Sequence, residues 1–151
     1  MATGFRMRIG ILVLIGAFAV STFAADTGTN GLIAAKTLKC WIRAGFGTTW
    51  KDGVPSTSSA TYSSDPFFFD SINLKQGTAR VIGQAGASDV KVVKSSVGIT
   101  FVETAGAIIT FTTVFFSGPR PDEYTVVDSR HASYLGTQLA EQYYGTCKVM
   151  K

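Results

Sequence analysis

The chain has 151 residues, 46% of them hydrophobic and 16% charged, which suits one packed domain and excludes a disordered polyelectrolyte. Its 14 lysines and arginines outnumber 10 aspartates and glutamates, yet no three basic residues adjoin, so there is no electrostatic footprint for nucleic acid. One histidine and two widely separated cysteines give no metal-ligand spacing, and no sequence pattern calls for a cofactor.

The first element is a targeting segment. Arg6 and Arg8 precede an apolar run over 9–20, followed by Ser21, Thr22, Phe23, Ala24 and Ala25. A basic start, a short apolar centre and a small-residue exit predict a secretory signal peptide over 1–24, cleaved after Ala24. The run is shorter than the roughly 18–20 residues that span a bilayer. The mature chain is therefore expected to be periplasmic or extracellular, with no membrane span. Residues 25–37 are polar and Gly-rich and read as a flexible lead-in, with the folded domain over 38–151.

Eight strands are expected, over 39–46, 67–73, 78–84, 89–94, 98–104, 107–116, 123–130 and 142–150. These runs are rich in Val, Ile, Thr, Phe and Tyr, which suit a pleated, half-buried surface. Residues 105–106 read as a tight hairpin turn. The serine-rich stretch 52–65 reads as a long loop, and Pro119 and Pro121 stiffen another over 118–122. Residues 134–141 are the one place with room for a short helix, and Gly136 inside them disfavours it.

Export makes oxidation of Cys40 and Cys147 to one another the expected state. A disulfide holds Cα atoms within about 7 Å, so the first and last strands must be neighbours. An up-and-down antiparallel sheet of eight strands brings its ends together by closing into a small barrel, which also removes exposed edges. Alternation predicts an interior lined by Trp41, Phe67, Phe69, Val81, Ile99, Phe101, Ile109, Phe111 and Val126, with Thr110 and Thr112 outside. A barrel of this size is filled by its side chains or holds one small ligand. Those residues are also what an ordinary core contains, which favours a filled interior.

The densest polar cluster is Asp128-Ser129-Arg130-His131. Ser129 and His131 share a strand face, with Asp128 and Arg130 opposite, so a triad would need an acid from elsewhere, such as Glu141 or Asp70. No nucleophile elbow is present. A strand end held by an Arg contact is the simpler reading, and no catalytic residue is assigned. Glu103 shares a face with Ile99 and Phe101. If it points inward, it needs a partner such as Arg80 or Arg43; the simpler position is a solvated rim. Trp41, Trp50, Tyr62, Tyr143 and Tyr144, with Arg130 and His131, are candidate ligand or partner contacts.

The tail segments Ser129-Arg130-His131 and QYYGTC (142–147), together with the signal peptide and the strand GITFVET (98–104), resemble a group of small exported bacterial proteins of unassigned function. That resemblance implies export and a shared β fold. The expected architecture is also similar to the lipocalin-like (calycin) barrels, which include small-molecule carriers and exported protease inhibitors. That family places G-x-W near the first strand; here the spacing is Gly47-Thr48-Thr49-Trp50, and no ligand site carries over.

The function expected is non-enzymatic binding of an envelope or extracellular protein, or of a small apolar ligand. One alternative is inhibition of a secreted hydrolase, of protease or lysozyme type, with the flexible start laid across the target's cleft. The other is a hydrolase using Ser129, His131 or Glu103.

Overall fold

The structure, a computed structural model, describes residues 27–134 and 136–151; the expected signal peptide lies outside them. The elements are α1 (Thr27–Ala34), β1 (Leu38–Lys51), β2 (Val54–Ser59), β3 (Phe67–Asn73), β4 (Thr78–Gly83), β5 (Gly86–Lys94), β6 (Gly98–Ala105), β7 (Ile108–Phe115), β8 (Glu123–Tyr134) and β9 (Thr137–Val149). Successive strands from β3 to β9 pair antiparallel, β9 pairs with β1, and the first residues of β1 pair with β3. The sheet thus closes into an eight-stranded antiparallel barrel, as expected.

Closure runs along the β1–β9 seam, where Cys40 and Cys147 face each other in register with Cα atoms 4.0 Å apart and form the disulfide. The bridge spans 107 residues of sequence. By loop-closure entropy a ring of that size stabilises the fold by about 4–5 kcal/mol, an upper value.

Several expectations about the elements need correction. The stretch 52–65 is not all loop: Val54–Ser59 form β2, an extra strand that pairs with the outer half of β1 from Phe46 to Lys51. Every residue of β2 is exposed, so backbone pairing holds it and no apolar pattern marks it. Where 134–141 had room for a short helix, β8 and β9 instead pair as a hairpin out to Tyr134 and Thr137, with Gly136 at φ 80° and no helix among the described residues there. The hairpin turn between β6 and β7 falls one residue later than expected, with Ala105 paired to Ile108 and Gly106 at φ 59°. Finally, the stretch read as a flexible lead-in carries α1. Leu32 is fully buried in the core, and residues 35–37 are tied down where the Ile72 amide donates to the Lys36 carbonyl and the Met150 amide to that of Thr37.

The interior has two halves. At the α1 end it is filled: Leu32, Leu38, Cys40, Phe69, Ile72, Ile99, Val114, Tyr124, Val126 and Cys147 are all buried. Toward the opposite end the inward positions change character. One ring of paired residues runs Val92, Phe101, Thr112, Asp128, Tyr143 and Gly45. The next runs Glu103, Thr110, Arg130, Glu141 and Gly47. Among the described residues no helix is long and apolar enough to cross a membrane.

The face assignment of β7 is the reverse of the one expected. Thr110 and Thr112 are buried and point inward, while Ile109 and Phe111 stand on the outer wall, Phe111 edge-on to His131 with ring centroids 6.1 Å apart. Trp41 also faces outward, beneath the Lys39 ammonium at 5.1 Å from its ring centroid. Phe67, Phe69, Val81, Ile99, Phe101 and Val126 take the inward places expected of them.

Candidate functional site: a two-sided cavity at the open end

Where the barrel's inner wall turns polar, side chains stop filling it. A cavity of about 440 Å³ opens there, within the range of small-molecule sites. One side is apolar, formed by Phe67, Phe69, Val81, Val90 and Phe101. Phe69 and Phe101 stack nearly parallel, centroids 3.7 Å apart, and Phe67 meets Phe69 edge-on. The other side is polar: Glu103, Thr110, Thr112, Asp128, Arg130 and Tyr143.

Asp128 is the most constrained of these. It is 8% exposed, and its Oδ2 accepts a hydrogen bond from Thr112 Oγ1 at 2.7 Å, from the position directly opposite on β7. Its Oδ1 is buried without a hydrogen-bond partner among the described residues. A buried carboxylate with an unmatched oxygen is disfavoured relative to the neutral acid. Burial accordingly pushes its pKa above the ordinary aspartate value; the Thr112 bond and the Arg130 charge oppose this, and the charges of Glu103 and Glu141 reinforce it.

Above Asp128, Arg130 lies 3.6 Å from Glu141 across the β8–β9 pair, with its guanidinium 5.6 Å from the centre of the Tyr143 ring. Tyr143 is buried and its phenol is pushed up to about 12, first by burial and then by its hydrogen bond to Glu141. It therefore stays neutral at any physiological pH. Arg80, a partner considered for Glu103, is instead engaged on the outer wall by both oxygens of Asp70, at 2.9 and 2.7 Å.

The mouth is bordered by residues 61–66 and the β4–β5 turn. Gln84 Nε2 donates across it to Ser63 Oγ at 3.1 Å and to Asp65 Oδ2 at 2.6 Å, and the Tyr62 hydroxyl donates to the Arg43 carbonyl. This strap narrows the opening.

The residues singled out from the sequence fall into two groups. Tyr62, Glu103, Arg130 and Tyr143 converge on the cavity. Trp41, Trp50, His131 and Tyr144 do not line it. Tyr144 is exposed on the outer wall, edge-on to Phe46, and donates to Gln142 Oε1 at 2.6 Å. Ser129 and His131 lie on the outer face of β8, where Ser129 Oγ accepts from Gln142, while Glu103 faces inward; the three do not form one centre. Asp128, Thr110 and Thr112 were not singled out as site residues. Asp128 and Arg130 do share a face, as alternation required, but nothing in β8 alone says that this face is the inner one. The fold and site define an eight-stranded barrel with a half-filled, half-hollow interior. No protein-family model, curated protein or solved structure matches the chain.

Proposed function

We propose that this is an exported, non-enzymatic barrel that binds a small molecule in the cavity at its open end. The observation that carries this reading is the cavity's make-up: an aromatic wall facing a small set of polar groups, one of them a buried carboxylate oxygen without a partner among the described residues. Apolar surface supplies affinity in such sites, and a few placed polar groups fix orientation. The Cys40–Cys147 bond accords with an oxidising compartment. Native mass spectrometry on protein purified from its own host tests the reading. A persistent added mass, lost on denaturation, is expected; bare protein from several preparations counts against it.

A protein partner is the second reading, favoured by Phe46, Trp50 and Tyr144, which are exposed on the outer wall. The inhibitor reading relied on a free N-terminal stretch and is weakened by the packing of α1.

A further inference from the structure

The charges around the cavity are unequal. Asp128 and Glu103 line its polar side, and Asp65 stands at the mouth, held by Gln84. Arg130 is the only cation among the described lining residues, and Glu141 lies 3.6 Å from it. A carboxylate or phosphate entering here would meet two acids and an arginine already engaged. The half-buried Glu103 carboxylate faces the cavity, and Asp128 Oδ1, buried beside it, has no hydrogen-bond partner among the described residues, so a hydrogen-bond donor finds acceptors here where an anion finds repulsion. Charge-assisted bonds of this kind are about twice as strong as neutral ones. Phe67 and Val81, the half-buried members of the apolar side, offer the same ligand an apolar surface, backed by the buried pair Phe69–Phe101.

We propose that the cavity takes a small organic cation, a primary or secondary amine on a flat apolar body, with its N–H groups toward Glu103 and Asp128 and its body against Phe67 and Val81. The inference rests on the binding function proposed above and names the ligand class.

Isothermal titration of the full chain, disulfide intact, with three probes of one shape tests it: tryptamine, the neutral alcohol tryptophol, and indole-3-propionate. Tryptamine binds at least about tenfold tighter than tryptophol, and indole-3-propionate binds weakest. Asp128→Asn and, separately, Glu103→Gln each weaken tryptamine about tenfold and tryptophol much less, so the preference for the amine shrinks. The probe series on the unaltered chain stands even if a variant fails to fold. Equal affinity for tryptamine and tryptophol overturns the proposal. So does tighter binding of indole-3-propionate, which would move the anchor to Arg130. If none of the three binds, the proposal also falls; uptake of an uncharged apolar dye would then leave the binding function standing, and its exclusion would remove both.

Discussion

The ring of Tyr143 rests on the backbone of Gly45: a methyl group added at Gly45 would stand 2.5 Å from Cδ1 and 2.8 Å from Cε1 of that ring. The two residues are direct partners across the β1–β9 seam, just beyond the irregularity between Ile42 and Ala44. A glycine opposite a large aromatic lets the ring lie along the wall instead of standing in the cavity. The space at the open end therefore depends on what β1 lacks.

Gly45→Ala is expected to push the Tyr143 ring inward. Forcing one extra carbon into a packed contact costs about 1–3 kcal/mol. Urea unfolding should show a loss of that size, and Gly45→Ala combined with Tyr143→Leu should recover most of it. If Gly45→Ala is as stable as the parent, the ring is free to move and the cavity wall is less fixed than described.

Leu32→Ala tests whether α1 belongs to the fold. Leu32 is fully buried among barrel residues, so truncation is expected to cost about 2–5 kcal/mol. A change of only a few tenths of a kcal/mol, which is what an exposed position gives, would return residues 25–37 to the role of a loose lead-in. The fragment TGTNGLIA carries two glycines and no clear apolar stripe, so its helix draws on tertiary packing, which propensity does not report.

The same distinction separates what was legible in the chain from what was not. Cys40 and Cys147 announced the closure because a disulfide is a distance constraint written in the sequence. The β6–β7 hairpin was legible from its apolar runs and the glycine between them. The facing of β7 was not. Its sequence, IITFTTVF, carries threonine and apolar residues on both faces, and threonine sits equally well inside or out when a partner is at hand. Thr112 has that partner in Asp128, a contact that exists only once β8 is placed beside β7. Glu103, Arg130 and Tyr143 of β6, β8 and β9 were therefore recoverable, and Thr110 and Thr112 of β7, with the Asp128 that Thr112 meets, were not.

Asp128→Asn isolates the effect of the buried carboxyl on stability. Its folded pKa lies above the unfolded value of 3.8, so the folded state favours the protonated form. The stability this confers is complete below the unfolded pKa and is lost as pH rises through the raised folded value. An asparagine does not titrate. The variant should therefore gain on the parent as pH rises, being relatively more stable at pH 7.5 than at pH 3.5 when urea midpoints are compared. Arg130, Glu103 and Glu141 are the charges that bear on Asp128, and all three are present in both proteins. A difference that stays constant with pH would mean that water reaches Oδ1 and satisfies it.

The strap over the mouth gives the last expectation. Gln84 makes two hydrogen bonds to residues 63 and 65, all of them exposed, and exposed bonds of this kind add little to global stability. They do fix the loop locally, together with the Tyr62 bond to the Arg43 carbonyl. Gln84→Ala should leave the urea midpoint within about 0.5 kcal/mol of the parent, as surface changes usually do. Hydrogen exchange at amides 61–65 should quicken severalfold while that of β6 and β7 is unchanged, because local opening and global unfolding are separate events. The combined variant Gln84→Ala, Tyr62→Phe should quicken it further. If exchange in 61–65 does not respond to either, the backbone alone holds this segment, and access to the cavity is set elsewhere on the rim.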